Sequence, residues 1–200
     1  MTTKKLYKKG LHLEYFTVSY NFIEAGVAIL FGSIASSIAL VGFGLDSIVE
    51  TLSGFVLIWR LHQHRNLNAK EEERSEKSAI KFVAITFFIL GTYVFVQSVL
   101  KIISGTPQDP SLPGIILAFI SLIIMPFLAY QKIKVGKQIN SRALVADAKE
   151  TIACAFLSAA LLLGLGLNYL FGLWQADPIV GLVIVFFLFR EGLESWEEAQ

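Results

Sequence analysis

Six stretches of the chain stay apolar over roughly the 20 residues that an α-helix needs to cross the hydrocarbon core of a bilayer. They are Leu13–Phe31, Ile38–Leu61, Ala79–Ile103, Leu112–Tyr130, Ala143–Phe171 and Pro178–Trp196. Alternation of apolar and polar residues at period two is weak, and a helix satisfies its own backbone hydrogen bonds in lipid whereas an open strand does not. The pattern predicts an all-α integral membrane protein with six transmembrane helices. Local signals fit these bounds. Asp177-Pro178 reads as an N-cap followed by proline at the first helical position. Pro126 falls inside the fourth helix and predicts a kink. The charged run from Asn68 to Lys77 reads as a solvated extension of the third helix.

The polar residues between these stretches are distributed unevenly. The first, third and fifth connections, GSIASS, SGTPQDPS and GLWQAD, hold no Lys or Arg. The N-terminus holds Lys4, Lys5, Lys8 and Lys9, the second connection is strongly charged, and the fourth contains Lys132, Lys134, Lys137 and Arg142. Positive charge on one side at every turn places both termini in the cytoplasm. The opening residues look like the start of a signal peptide. However, the apolar stretch that follows is long, contains Glu14, Asn21 and Glu24, and lacks a small-x-small cleavage site, so a retained first helix is expected. The tail EGLESWEEAQ is too short for a soluble domain, so residues 1–200 are expected to form one transmembrane domain.

Composition agrees. Hydrophobic residues make up 54% of the chain and charged residues 16%, against about 25% charged in a soluble domain. The net charge of +1 gives no reason to expect nucleic acid or another acidic partner. The single cysteine excludes an internal disulfide.

The candidate chemistry lies inside the apolar stretches. Asp46 and Glu50 in FGLDSIVETLSGF are one turn apart and share a face of the second helix. Acids at mid-membrane cost several kcal/mol unless they meet a partner, a proton or a cation. In the fifth helix Asp147, Glu150, Thr151 and Cys154 also share a face. With antiparallel helices rising 1.5 Å per residue, Asp46 and Cys154 come nearly level, with Glu50 and Glu150 on the cytosolic side of them. The two faces together offer three or four oxygens and one sulfur, a ligand set for a divalent transition metal. Such ligands lose protons on binding, which links metal to proton movement. Asn21 is expected to act as interhelical hydrogen-bond glue, Glu24 to line a path, and His62 and His64 to stand at the cytosolic mouth. Asp147 is expected in or beside the site, and Lys149 points away from it. No Ser–His–Asp, Cys–His or phosphate-loop arrangement appears, so an enzyme is not expected.

The same residues carry a family resemblance. SSIALVGFGLDSIVE resembles the second helix of the cation diffusion facilitator (cation efflux) family, with Asp46 and Glu50 on its four-spaced metal-binding pair. SRALVADAKETIAC resembles the start of that family's fifth helix, typically Ala-Asp-Ala-x-His-x-x-x-Asp, with Glu150 on the histidine and Cys154 on the aspartate. WQADPIVGLVI resembles the Asp-Pro-Ile-x-Gly entry to its sixth helix. The resemblance covers about residues 20–200 and is closest to the short branch that lacks a C-terminal cytosolic domain. It implies a homodimer in the inner or plasma membrane that exchanges protons for divalent metal, zinc first and manganese, iron or cobalt next. Two other readings stay open: a metal-binding or sensing membrane protein that does not transport, and a proton-coupled carrier of small organic solutes.

Overall fold

The structure, a computed structural model, describes residues 3–63 and 69–198. Six helices run in chain order: α1 (Thr3–Ala35), α2 (Ile38–Gln63), α3 (Ala69–Ser104), α4 (Leu112–Ile139), α5 (Arg142–Phe171) and α6 (Ala176–Glu198). Each contains the whole of its expected apolar stretch and is longer, chiefly because polar residues at the ends continue the helix beyond it. α3 takes in the charged run from Ala69 onward, while Asn68 lies outside the described residues. α4 runs unbroken through Pro126. Among the described residues, five of the helices are long and apolar enough to cross a membrane. α6 differs because Asp177, Arg190 and Glu191 all fall within Ala176–Leu193.

The helix ends have identifiable causes. α4 stops at Asn140, whose left-handed backbone (φ 53°) turns its N–H onto the Gly136 carbonyl. Ser141 then caps α5, its side chain accepting from the Leu144 N–H. One left-handed residue and one cap therefore make the whole turn, which forces α4 and α5 to lie antiparallel and adjacent. The α1–α2 turn is as tight. Ser36 is left-handed (φ 54°), and a Cβ on Gly32 would sit 2.8 Å from the Val41 backbone nitrogen, so the two helices can meet there only at a glycine.

α1 packs along α2 and α4 along α5, and contacts of α1 with α4 and of α2 with α5 close these four into a bundle. α3 packs along α6, and that pair joins the bundle chiefly through α2 and α5. Within α4 the buried face is Gly114, Ala118, Ser121, Met125, Leu128 and Lys132. Ile116, Phe119, Ile123 and Phe127 on the other face are exposed. Large apolar side chains directed outward at helical spacing are what a lipid-facing surface requires. The main apolar core includes Leu40, Phe43, Met125, Leu157, Leu161, Ile184 and Leu188.

Asp177 does not cap its own helix as expected. It lies inside the first turn of α6, fully buried, and its carboxylate reaches the start of α2. There it accepts from the Ile38 N–H (2.9 Å), the Ala39 N–H (3.3 Å) and the Ser37 hydroxyl, while the Leu40 N–H donates to Ser37 Oγ (3.1 Å). Three amides that begin α2 are satisfied in this way, and the negative charge sits at the positive end of the helix dipole. Lys101 of α3 completes the cluster, 3.1 Å from Asp177. This buried lysine is a cation at the end of the bundle opposite the termini, but it is already neutralised and does not weaken the charge bias of the connections. Replacing Asp177 with Ala leaves the buried Lys101 ammonium unpaired and uncaps α2. The expected cost is about 3–5 kcal/mol, measured as a fall in the thermal unfolding temperature of the detergent-solubilised protein. Lys101→Met in the same background should restore part of it.

Candidate metal centre

Asp46 and Glu50 of α2 point toward α5 and α6 and line a small cavity together with Glu150 and with Glu191 of α6. Its remaining walls are Phe87, Ala153, Leu157 and Phe187. The cavity measures about 10 Å³, room for roughly one water molecule. Four carboxylates therefore border an apolar enclosure with room for one small particle. Asp46 and Glu50 are buried, and Glu150 is half-buried with its Oε2 accepting from Ser53 (2.8 Å). Glu50 Oε1 accepts from Thr151 (3.0 Å), and Glu50 Oε2 is enclosed with no hydrogen-bond partner. A buried oxygen in that condition is costly unless something positive reaches it. Cys154 is fully buried beside the Glu50 carboxylate, at the margin of the cavity rather than in its lining. Among the described residues no three acidic or thiol groups stand close enough to hold one ion together.

Asp147 faces elsewhere. It pairs with Lys132 of α4, whose side chain has no exposure to solvent. The same ammonium lies 3.3 Å from Glu14 of α1 and donates to Thr151 Oγ1 (3.3 Å). Its three N–H groups thus have three acceptors on two other helices. Thr151 passes the link on to Glu50. Asp147 therefore belongs to an ion-pair cluster beside the cavity and not to its lining, with Lys132 as its partner.

The remaining expected residues separate. Glu24 is buried but does not line the cavity; both its oxygens accept from serines, Ser47 of α2 and Ser121 of α4. Asn21 is buried with neither amide atom hydrogen-bonded, so it does not act as the interhelical glue expected of it. The side chains of His62 and His64 lie outside the described residues.

Three participants escaped the sequence reading. Lys132 was counted among the cytosolic charges, yet the α4 turn comes eight residues later at Asn140. Glu191 lies near the end of an apolar stretch and resembles a surface acid. Glu14 was noted only as a charge in the first stretch. One signal for Glu14 was available: Glu14, Thr17, Asn21 and Glu24 recur at intervals of three and four residues, and all are buried. That is a polar stripe on one face of α1, extending about 15 Å.

Among the described residues, long helices with an outward apolar surface and a polar interior are the architecture of a multi-pass membrane protein. The chain belongs to the cation efflux family, a family of transporters and not enzymes: the cation efflux transmembrane domain matches residues 15–199. It is similar to transmembrane protein 163 of Xenopus laevis, 24% identical over 94% of this chain and 66% of that protein. The manganese efflux system protein MneP of Bacillus subtilis is 24% identical over 87% of this chain and 62% of its own. The magnetosome protein MamB of Paramagnetospirillum magneticum is 27% identical over 82% and 56%. The chain thus spans less than two thirds of the length of these relatives.

Replacing Lys132 with Met strands Glu14 and Asp147 as uncompensated buried acids. Thermal unfolding of the purified protein should show a loss of about 3–5 kcal/mol. The triple change Lys132→Met, Glu14→Gln and Asp147→Asn, which removes all three charges, should recover most of that loss. Equal destabilisation of the single and triple variants would contradict the charge-pair account.

Proposed function

We propose that the protein exports a divalent transition-metal ion, zinc or manganese, from the cytosol in exchange for protons, and that Asp46, Glu50 and Glu150 hold the ion with Glu191 and Cys154 beside them. The observation that carries this reading is the ion-sized cavity lined by four carboxylates, with Glu50 Oε2 buried and unpaired. Glutamate side chains are long enough to swing onto an ion that enters, and the smaller Asp46 and fixed Thr151–Glu50 contact anchor one side. An arriving dication displaces protons from the acids, so loading with metal and release of protons are one event. Rocking of α3 and α6 against the four-helix bundle then offers the ion to the opposite side, where protons replace it.

The donor set bears on the metal. Zinc suits a mixed carboxylate and thiolate set, which draws in Cys154; a shell of carboxylates alone suits manganese. The name of the manganese efflux relative favours the second, and the thiol favours the first. A carrier of organic solutes is disfavoured at this site, because a cavity of about 10 Å³ admits no organic molecule. A homodimer rests on the family resemblance alone.

Transport separates export from binding without transport. The chain is reconstituted in vesicles containing a metal-sensitive dye and a pH dye, and zinc or manganese is added outside. Metal entry with opposing proton movement is expected from the wild type, and both should vanish in a Glu50→Ala, Glu150→Ala double variant. Full transport by that variant would sink the assignment of the site, and binding with no flux in the wild type would leave a sensor.

A further inference from the structure

Glu24 occupies a second polar site that the ion cavity does not use. Its carboxylate is almost wholly buried between α1, α2 and α4. Oε2 accepts from Ser47 (2.8 Å) and Oε1 accepts from Ser121. Tyr20, one turn earlier on α1, hydrogen-bonds Ser121 Oγ with its phenol oxygen (2.7 Å). Each serine also has a second acceptor within reach, a carbonyl of its own helix four residues back. Ser47 Oγ lies 3.1 Å from the Phe43 carbonyl, and Ser121 Oγ lies 3.0 Å from the Leu117 carbonyl.

That duplication matters because a hydroxyl has one proton to give and two lone pairs with which to accept. When Glu24 is ionised, both serines donate to it. When Glu24 carries a proton, its new O–H can donate to the serine it faces, and that serine turns its own proton onto the helix carbonyl. Neither state leaves a buried polar atom unsatisfied, so the site holds a carboxylate or a carboxylic acid without the usual penalty for orphaned groups. A metal ion is a poor occupant, since both carboxylate oxygens are already engaged by hydroxyl donors. The titratable groups facing Glu24 are Tyr20 on its own helix, Asp46 and Glu50 on α2 and Cys154 on α5, with Ser121 presented by α4.

We propose that Glu24, with Ser47, Ser121 and Tyr20, is a proton-binding site distinct from the ion cavity, carrying a proton taken from water on one side and returned to water on the other. This deepens the transport reading and rests on it for the coupling. In that scheme one exchanged proton occupies a residue that the ion does not, in addition to those the ion displaces, so occupancy of one site shifts the other through charge as well as by displacement.

Two measurements test it. Infrared difference spectra of the full chain in lipid, taken between acid and alkaline buffers without divalent ions, should show a protonated-carboxyl band that is missing in Glu24→Gln. The substitution keeps size and hydrogen-bonding capacity. Equilibrium binding of zinc or manganese should be preserved in Glu24→Gln and lost in Glu50→Ala, and vesicles with Glu24→Gln should move metal with fewer opposing protons per ion, those of the cavity acids remaining. An unchanged carboxyl band in Glu24→Gln, wild-type proton coupling, or loss of metal binding as complete as in Glu50→Ala would each overturn the proposal. If Glu24→Gln does not fold, Ser121→Ala keeps the carboxylate and removes one switching hydroxyl; it should displace the band's midpoint pH, and an unmoved midpoint counts against the site. The band is read without transport, so a wild type that carries no metal defeats the transport reading and still decides whether Glu24 binds a proton.

Discussion

A lysine with no access to water ties the polar interior of this protein together. Lys132 holds Glu14 on α1 and Asp147 on α5, and through Thr151 it reaches Glu50 on α2. Three helices of the bundle meet at one ammonium, and the fourth, α2, is joined to it by Thr151. Its charge matters as much as its contacts. Six acids, Glu14, Glu24, Asp46, Glu50, Asp147 and Glu150, lie along this interior, and buried acids without a cation repel one another. Lys132 neutralises the charge of one acid and orients the threonine that anchors Glu50. Glu50 and its neighbours in the cavity remain short of positive charge, and that deficit is the feature a dication would fill.

The rest of the fold follows from keeping this polar interior inside and an apolar surface outside. The stripe on α1, the Asp46–Ser47–Glu50–Thr51 segment of α2 and the Asp147–Thr151–Cys154 face of α5 all turn inward. Between them they require that α1, α2, α4 and α5 pack as a bundle, and the two tight turns at Ser36 and Asn140 allow only adjacent antiparallel neighbours. At the far end Asp177 and Lys101 repeat the same solution, an ion pair with no water, and use it to fix where α2 begins. α6 is bound there to α2 and α3, and it presents Glu191 to the cavity near its other end. The pair formed by α3 and α6 is thus attached to the bundle by charges at one end and borders the acidic cavity toward the other.

Much of this was legible beforehand, because membrane spans are written as long apolar runs and a mid-membrane acid cannot be neutral decoration. Asp46, Glu50 and Glu150 were found by spacing alone, and the structure places all three on one cavity. Asp147 was expected in or beside the site; spacing gives a face but not a neighbour, and its ion-pair partner Lys132 comes from α4. Lys132 was hidden by a rule that is sound on average: lysines near a span end belong to the aqueous side, unless the helix continues past them, as α4 does to Ile139. Asp177 was hidden for a related reason. Asp-Pro at a helix start is a good cap signal, but a carboxylate in the first turn can equally cap the helix beside it when two helix starts are close. Asn21 turns inward as expected, but its amide makes no hydrogen bond to another protein group.

The most direct test of the account is the shell around a bound ion. The purified chain, loaded with zinc and separately with manganese, is examined by X-ray absorption at the metal edge. The account predicts one ion per chain in an oxygen-dominated shell that is lost when Glu50 is changed to Ala. With zinc it predicts in addition one sulfur at about 2.3 Å, removed by Cys154→Ser. A shell of water oxygens that persists in Glu50→Ala would contradict it, because the ion would then be sitting somewhere other than between α2 and α5.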